Sequence, residues 1–160
     1  MERGLEMSIK NKISVFGGTG FIGSRFCEMY PHNAVKIERE SRIPINKDIL
    51  FLISTTDNYN IFTEPTKDIE TNLIILMEVL KNCTPKNTFN FVSSWFVYGN
   101  QPLPIKETSQ CDPKGIYAIT KRCAEQLIIC YCVTFKIPYR IFRLENVLRD
   151  TLICFSKHVF

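Results

Sequence analysis

Apolar positions along this chain switch between two periods. Five short runs of apolar and β-branched residues, at 13–17, 34–38, 49–54, 89–93 and 139–143, have the length and near-continuous apolar character of strands buried on both faces of a parallel sheet. Between them the period lengthens to that of a helix. Ile22 and Phe26 repeat at helical spacing after the first run. Ile69, Leu73, Leu76, Met77 and Leu80 share a face after Pro65-Thr66, and Ala124, Leu127, Ile128, Tyr131 and Phe135 share one after Pro113. Strands alternating with helices predict an α/β fold, a doubly wound parallel sheet in three layers, α/β/α. One interval does not fit. Only nine residues separate Glu38 from Asp48, fewer than the ~10 to 12 of a helical crossover between parallel strands, so the sheet is expected to be reduced at one edge.

Composition narrows the class without changing it. A chain of 160 residues, 45% hydrophobic and without a low-complexity tract, builds one sizeable core. The net charge of +4 is scattered rather than gathered into a basic stripe with interleaved aromatics, so no nucleic-acid partner is expected. The seven cysteines contain no Cys-x-x-Cys pair, and only His32 and His158 stand by to help them hold a metal. They read as reduced, mostly buried small hydrophobes, with no metal site. No apolar stretch approaches the ~18 residues of a membrane span, and residues 1–12 lack the apolar core of a signal peptide. A cytoplasmic protein is expected.

The candidate chemistry begins after the first strand, at Gly17-Gly18-Thr19-Gly20-Phe21-Ile22-Gly23. Gly17 permits a tight turn, Gly20 lets backbone N–H groups approach a pyrophosphate, and Gly23 lets the following helix pack closely on the strand. The helix N-terminus adds unpaired donors and a positive dipole end. Glycine clusters also mark ordinary turns, but here a strand precedes and a helix follows, the context of a dinucleotide-binding, Rossmann-like fold. Glu38, read as the end of the second strand, stands where such folds place the carboxylate that receives the ribose hydroxyls of NAD. Its neighbours Arg39 and Arg42 suit a 2′-phosphate, which keeps NADP as the alternative cofactor; the plain alternative is three surface charges on a loop. Ser93-Ser94 follow the fourth strand at the end of the sheet where ligands bind. Tyr117 and Lys121, four residues apart, share a helix face, so the ammonium favours the phenolate and brings the tyrosine towards the range of a general base. Taken alone, a loop serine or a Tyr-x3-Lys pair on a solvated helix is common; their order after a glycine turn is not.

With these residues the chain resembles the extended short-chain dehydrogenase/reductases, the NAD-dependent nucleotide-sugar epimerases, dehydratases and reductases. The likeness spans residues 12–147. Gly17-x-x-Gly20-x-x-Gly23 is similar to the family's cofactor turn, Ser93 to Gly99 to its serine strand, and Tyr117 to Lys121 with Ala124-Glu125 to its catalytic helix. Asp48 to Thr55 resembles the strand and loop beside the adenosine, Asn72 matches a cofactor-contacting asparagine, and Arg143 to Val147 resembles the strand entering the nicotinamide site. The resemblance implies a cofactor set of Gly17, Thr19, Gly20, Phe21, Ile22, Gly23, Glu38, Arg39, Ile53, Ser54, Thr55, Asn72, Tyr117 and Lys121. It also implies a catalytic set: Tyr117 removes a proton from a sugar hydroxyl, Ser94 hydrogen-bonds the reacting oxygen, and Lys121 holds the nicotinamide ribose. Dehydratases of the family carry an Asp-Glu pair after the catalytic hydroxyl residue. Here Trp95 and Phe96 stand there and transfer no protons, so epimerase or reductase chemistry on a nucleotide-sugar is favoured.

The resemblance also predicts an organisation: an N-terminal extension over 1–12, the NAD(P)-binding domain over 13–147, an atypical tail over 148–160, and no C-terminal substrate lobe. Two other readings stay open on this basis. One is a catalytically silent cofactor-binding module, acting as a homodimer or as the partner subunit of another chain. The other is a truncated relative without a function of its own.

Overall fold

In the computed structural model, which describes residues 11–56 and 59–145, five parallel strands form one sheet. In chain order they are β1 (Ile13–Phe16), β2 (Ala34–Lys36), β3 (Asp48–Phe51), β4 (Thr88–Ser94) and β5 (Tyr139–Leu144); in space they run β2-β1-β3-β4-β5. Helix α1 (Phe21–Met29) links β1 to β2. The connection from β3 to β4 holds a 3₁₀ turn (Tyr59–Phe62) and then a helical run in three pieces, α2 (Lys67–Ile69), a π-helical turn (Glu70–Ile74) and α3 (Ile75–Leu80). A second 3₁₀ turn (Trp95–Tyr98) leaves β4, and α4 (Ile116–Thr134) leads into β5. All five expected strands form, but β2 ends at Lys36 and β3 at Phe51, which leaves Glu38 beyond the strand it was expected to close.

Successive strand residues point to opposite faces, and each face has its own helices. On one, Val15, Leu50, Val92 and Leu144 pack with Ile22, Phe26 and Cys27 of α1. On the other, Phe16, Ile49, Phe51, Phe89 and Phe91 pack against Leu76, Val79 and Leu80 of α3 and Ala124, Ile128 and Cys132 of α4. The phenylalanines form a ladder across three strands, with ring centroids 5.8–6.2 Å apart. Each fully buried ring contributes about 1.5–3 kcal/mol, so this ladder fixes the register of the sheet's centre.

Two residues leave the faces the periodicity assigned them. Ile69 is 44% exposed because the π-helical turn that follows it inserts a residue into the helical repeat and rotates α2 away from the face of Leu76 and Leu80. Phe135 caps the end of α4 and is 53% exposed, its ring lying on Tyr131 at a centroid distance of 4.4 Å instead of entering the core. The cysteines divide similarly: Cys27, Cys83 and Cys132 are buried, whereas Cys111 is half-buried and Cys123 and Cys130 are exposed. Burial pushes the Cys83 and Cys132 thiols up to about 12 and about 11, which keeps them protonated. Cys154, His158, the 1–10 part of the extension and the tail beyond Glu145 lie outside the described residues.

The short link from β2 to β3 contains neither helix nor strand. The buried Ser14 of β1 holds its backbone from below, its Oγ accepting from the N–H groups of Ile45 and Asn46 at 3.1 and 2.9 Å, and the Asn82 and Asn87 amides donate to its Arg42 and Asn46 carbonyls at 3.3 Å each. Among the described residues nothing pairs the outer edge of β2, the reduction that the spacing predicted.

Candidate functional site

The chain leaves β1 for β2 on one side and later places β3 on the other, so the strand order reverses between β1 and β3. Beyond the carboxyl ends of those strands lies the crevice in which open α/β sheets bind ligands. The glycine turn fills one wall of it. Gly17 has φ +82°, and a Cβ there would lie 3.0 Å from the Ile53 backbone nitrogen, so the turn packs directly on the loop after β3. At Gly23 a Cβ would stand 2.1 Å from the Gly17 carbonyl oxygen, which shows how closely α1 approaches the turn. Gly20 differs: a Cβ there meets only the Gly17 oxygen, at 3.4 Å, with open space beyond. Gly20 is also the N-cap of α1, with no side chain capping the first-turn N–H groups. Uncapped donors facing open space suit a diphosphate. Thr19 and Phe21 are exposed at this turn, and Ile22 is half-buried against the sheet.

The opposite wall is the loop Ile53-Ser54-Thr55, pinned by a buried polar cluster. Thr55 N–H donates to Asn72 Oδ1 at 3.0 Å, and Asn72 Nδ2 donates to Thr55 Oγ1 at 2.9 Å and to Thr120 Oγ1 at 3.0 Å. Thr55 Oγ1 in turn donates to Asp68 Oδ1. The π-helical turn presents Asn72 to this cluster, and Thr120, between Tyr117 and Lys121 on α4, joins that helix to the loop after β3. Asn72 is 2% exposed, so its amide organises the loop rather than facing the crevice. Asp68 and Thr120 were not foreseen from the sequence. The four-residue spacing of Asp68 and Asn72 was the available signal.

Ser94 is the last residue of β4, and its Oγ accepts from Phe96 N–H at 3.3 Å, starting the 3₁₀ turn. Phe96 stacks on Trp95 at 4.8 Å and meets the Tyr117 ring edge-on at 6.1 Å. Ser94 and Tyr117 are thus brought to the same end of the sheet through Phe96. Lys121, one turn further along α4, points into the fold. Its Nζ donates to the Val92 carbonyl at 2.7 Å and lies 4.4 Å from the centre of the Phe91 ring, and the residue is 3% exposed. Burial lowers this amine to about 7, with the Glu125 charge opposing the shift.

Glu125 is fully buried and held by two arginines. Arg143 of β5 donates through Nε to Oε1 and through Nη2 to Oε2, both at 2.8 Å, and Arg122 donates through Nη1 to Oε2 at 2.7 Å. These donors outweigh desolvation and lower the Glu125 carboxyl below its ordinary range. The cluster ties β5 to the middle of α4.

The charges expected near the ribose separate. Glu38 and Arg39 are exposed in the turn after β2, whereas Arg42 is drawn away to Glu78 of α3 at 2.8 Å and to the Arg39 carbonyl at 2.8 Å. The last residue of β2, Lys36, lies against Gly18. No helix among the described residues is long and apolar enough to cross a membrane.

The model of the NAD dependent epimerase/dehydratase family matches residues 52–148. The fold matches UDP-glucuronic acid 4-epimerase from Bacillus cereus in complex with NAD, at TM-score 0.75 and 21% identity over 84% of this chain and 56% of that one. It matches UDP-glucose 4-epimerase from Brucella ovis in complex with NAD at 0.75 and 21%, over 85% and 52%. It also matches RMD from Pseudomonas aeruginosa complexed with NADPH at 0.74 and 22%, over 85% and 53%. The chain thus spans about half the length of the structures it resembles. No curated protein matches it by sequence.

Proposed function

The chain belongs to the NAD dependent epimerase/dehydratase family, and on that premise we propose that it binds NAD(P) and acts as a nucleotide-sugar epimerase or reductase. The observation that carries this reading is the open cradle at Gly20, set at the switch point of the sheet with Ser94 and Tyr117 at the same end. The glycine turn and the N-terminus of α1 would hold the diphosphate, and the exposed Glu38 and Arg39 would meet the adenosine ribose. When bound, the nicotinamide supplies and accepts the hydride. Tyr117 takes the proton of a sugar hydroxyl, Ser94 hydrogen-bonds that oxygen, and the ammonium form of Lys121 stabilises the phenolate. The substrate named in the complexes of related folds, UDP-glucuronic acid for the Bacillus cereus enzyme, supports a nucleotide-sugar as the substrate class.

One observation favours the second reading, a cofactor-binding module without turnover: Lys121 donates to the Val92 carbonyl rather than towards the crevice. Titration separates the two. Trp95, the single tryptophan, adjoins Ser94, so its fluorescence is expected to change on addition of NAD(H) or NADP(H). No response to either at millimolar concentration would remove both readings. With binding established, Tyr117→Phe should abolish turnover of UDP-sugars and leave cofactor affinity nearly unchanged. Binding without turnover in the unmodified chain would select the module.

A further inference from the structure

Lys121 and Glu125 stand four residues apart on α4, the spacing at which a lysine and a glutamate ordinarily pair. Both are buried, yet they do not pair. The Glu125 oxygens are occupied by Arg143 at 2.8 Å and 2.8 Å and by Arg122 at 2.7 Å, and the Lys121 amine turns to a backbone carbonyl. Arg143 cannot readily release the carboxylate. Its Nη1 also donates to the Tyr98 hydroxyl at 2.8 Å and to the Glu107 carbonyl at 3.4 Å, and its guanidinium lies 4.7 Å from the centre of the Tyr98 ring. A planar, weakly hydrated, two-pronged donor outcompetes an ammonium for a buried carboxylate.

We propose that Arg143 is a positioning residue for Lys121: by engaging Glu125 it withholds that carboxylate from the lysine and so sets the charge on the Lys121 amine. Two guanidinium groups share one carboxylate, which leaves surplus positive charge one turn from Lys121. Burial disfavours the ammonium, the charge of the engaged Glu125 offsets this only in part, and the amine titrates at about 7. The other ionisable groups on elements packed against α4 do not supply the missing anion. Asp68 of α2 accepts from Thr55 through Oδ1 and keeps Oδ2 buried without a partner, yet Glu125 is the charge that acts on Lys121; Glu78 of α3 pairs with Arg42, the Tyr98 hydroxyl accepts from Arg143, and β4 brings no ionisable residue. Tyr117, one turn before, is the group whose phenolate a charged Lys121 would favour. The inference therefore rests on the reading of Lys121 as part of the site, and it names what decides when that lysine carries its charge.

The test reads the 160-residue chain without cofactor by NMR of lysine side chains labelled with 13C and 15N, with the Lys121 resonance assigned through Lys121→Met. The unmodified chain should titrate near 7 at this position. Arg143→Gln and Arg122→Gln should both move the midpoint up, by about one unit or more for a charge this close, because each frees Glu125 towards the lysine. Glu125→Gln should move it down, and Arg143→Lys should restore it towards the unmodified value. A purely structural cluster would lower thermal stability in every variant and leave the midpoint where it was. That outcome, or shifts of the same sign in Arg122→Gln and Glu125→Gln, overturns the proposal. Arg122 is 31% exposed, so its variant keeps the test readable where Arg143→Gln does not fold. Because no cofactor is added, a failed cofactor titration leaves this result standing, and the reverse holds too.

Discussion

Lys121 Nζ of α4 donates to the Val92 carbonyl of β4 at 2.7 Å, two residues before Ser94. This bond joins α4 to the strand that ends in the candidate catalytic serine, and it places a titratable amine in the core. The folded amine titrates at about 7 against an ordinary 10.5. The unfolded chain therefore binds more protons between those values, and stability rises with pH through that window. Below about 7 both states are protonated, and the full cost of the buried ammonium is present. Urea unfolding at pH 6, 7, 8 and 9 should show stability increasing, and Lys121→Met should flatten the rise. Above about 9 the raised Cys83 and Cys132 thiols begin to oppose it.

The glycines of the turn should separate by role. Gly23→Ala drives a methyl to 2.1 Å from the Gly17 oxygen, so it is expected to destabilise the fold by about 1–3 kcal/mol or more, as overpacking does. Gly20→Ala meets ordinary contact and should fold, with cofactor affinity reduced by the methyl in the open cradle. Thermal melts beside fluorescence titrations distinguish them. A Gly20→Ala chain that binds NAD(P) as tightly as the unmodified one would argue against a diphosphate in the cradle.

Asn72→Ala leaves the Thr55 N–H without its acceptor inside the fold. An unsatisfied buried donor costs about 1–3 kcal/mol, and the loop Ile53 to Thr55 loses its tie to α4. Denaturant midpoints should fall accordingly, while Asn72→Asp, which keeps the acceptor, should recover part of the loss. Equal stability in Asn72→Ala would mean that the cluster does not hold the loop.

Ser14→Ala tests the reduced edge. It removes the oxygen that receives two backbone N–H groups of the β2–β3 link. A loss of about 1–3 kcal/mol is expected from the stranded donors, with cofactor affinity unchanged because Ile45 and Asn46 precede β3 at the amino ends of the strands, away from the crevice. A weakened affinity at unchanged stability would contradict this placement.

Much of the fold was legible because burial on both faces of a parallel sheet leaves continuous apolar runs such as Ile49 to Ile53. Boundaries were less so. Glu38 and Ser54 looked like strand ends, but pairing stops where the neighbouring strand turns away, and local composition does not record that. Ile69 shows the same limit inside a helix: one π-helical turn rotates it out of a face that regular spacing assigned it. Of the candidate site, the glycine turn, Ser94, Tyr117 and Lys121 were visible as spacing, since each spacing maps directly onto a turn or one helix face.

The sequence by itself determined the α/β alternation, the shortened edge between Glu38 and Asp48, and the residue types of the site, because these follow from periods and intervals along the chain. Only the tertiary structure decided which of those residues face the crevice. Asn72 and Lys121 turn inward, to Thr55 and to Val92, and Arg42 is drawn off to Glu78. The reason is physical. A polar group in the fold goes to the partner that satisfies it best, and Arg143, 18 residues beyond Glu125 in the chain, outcompetes the lysine one turn away.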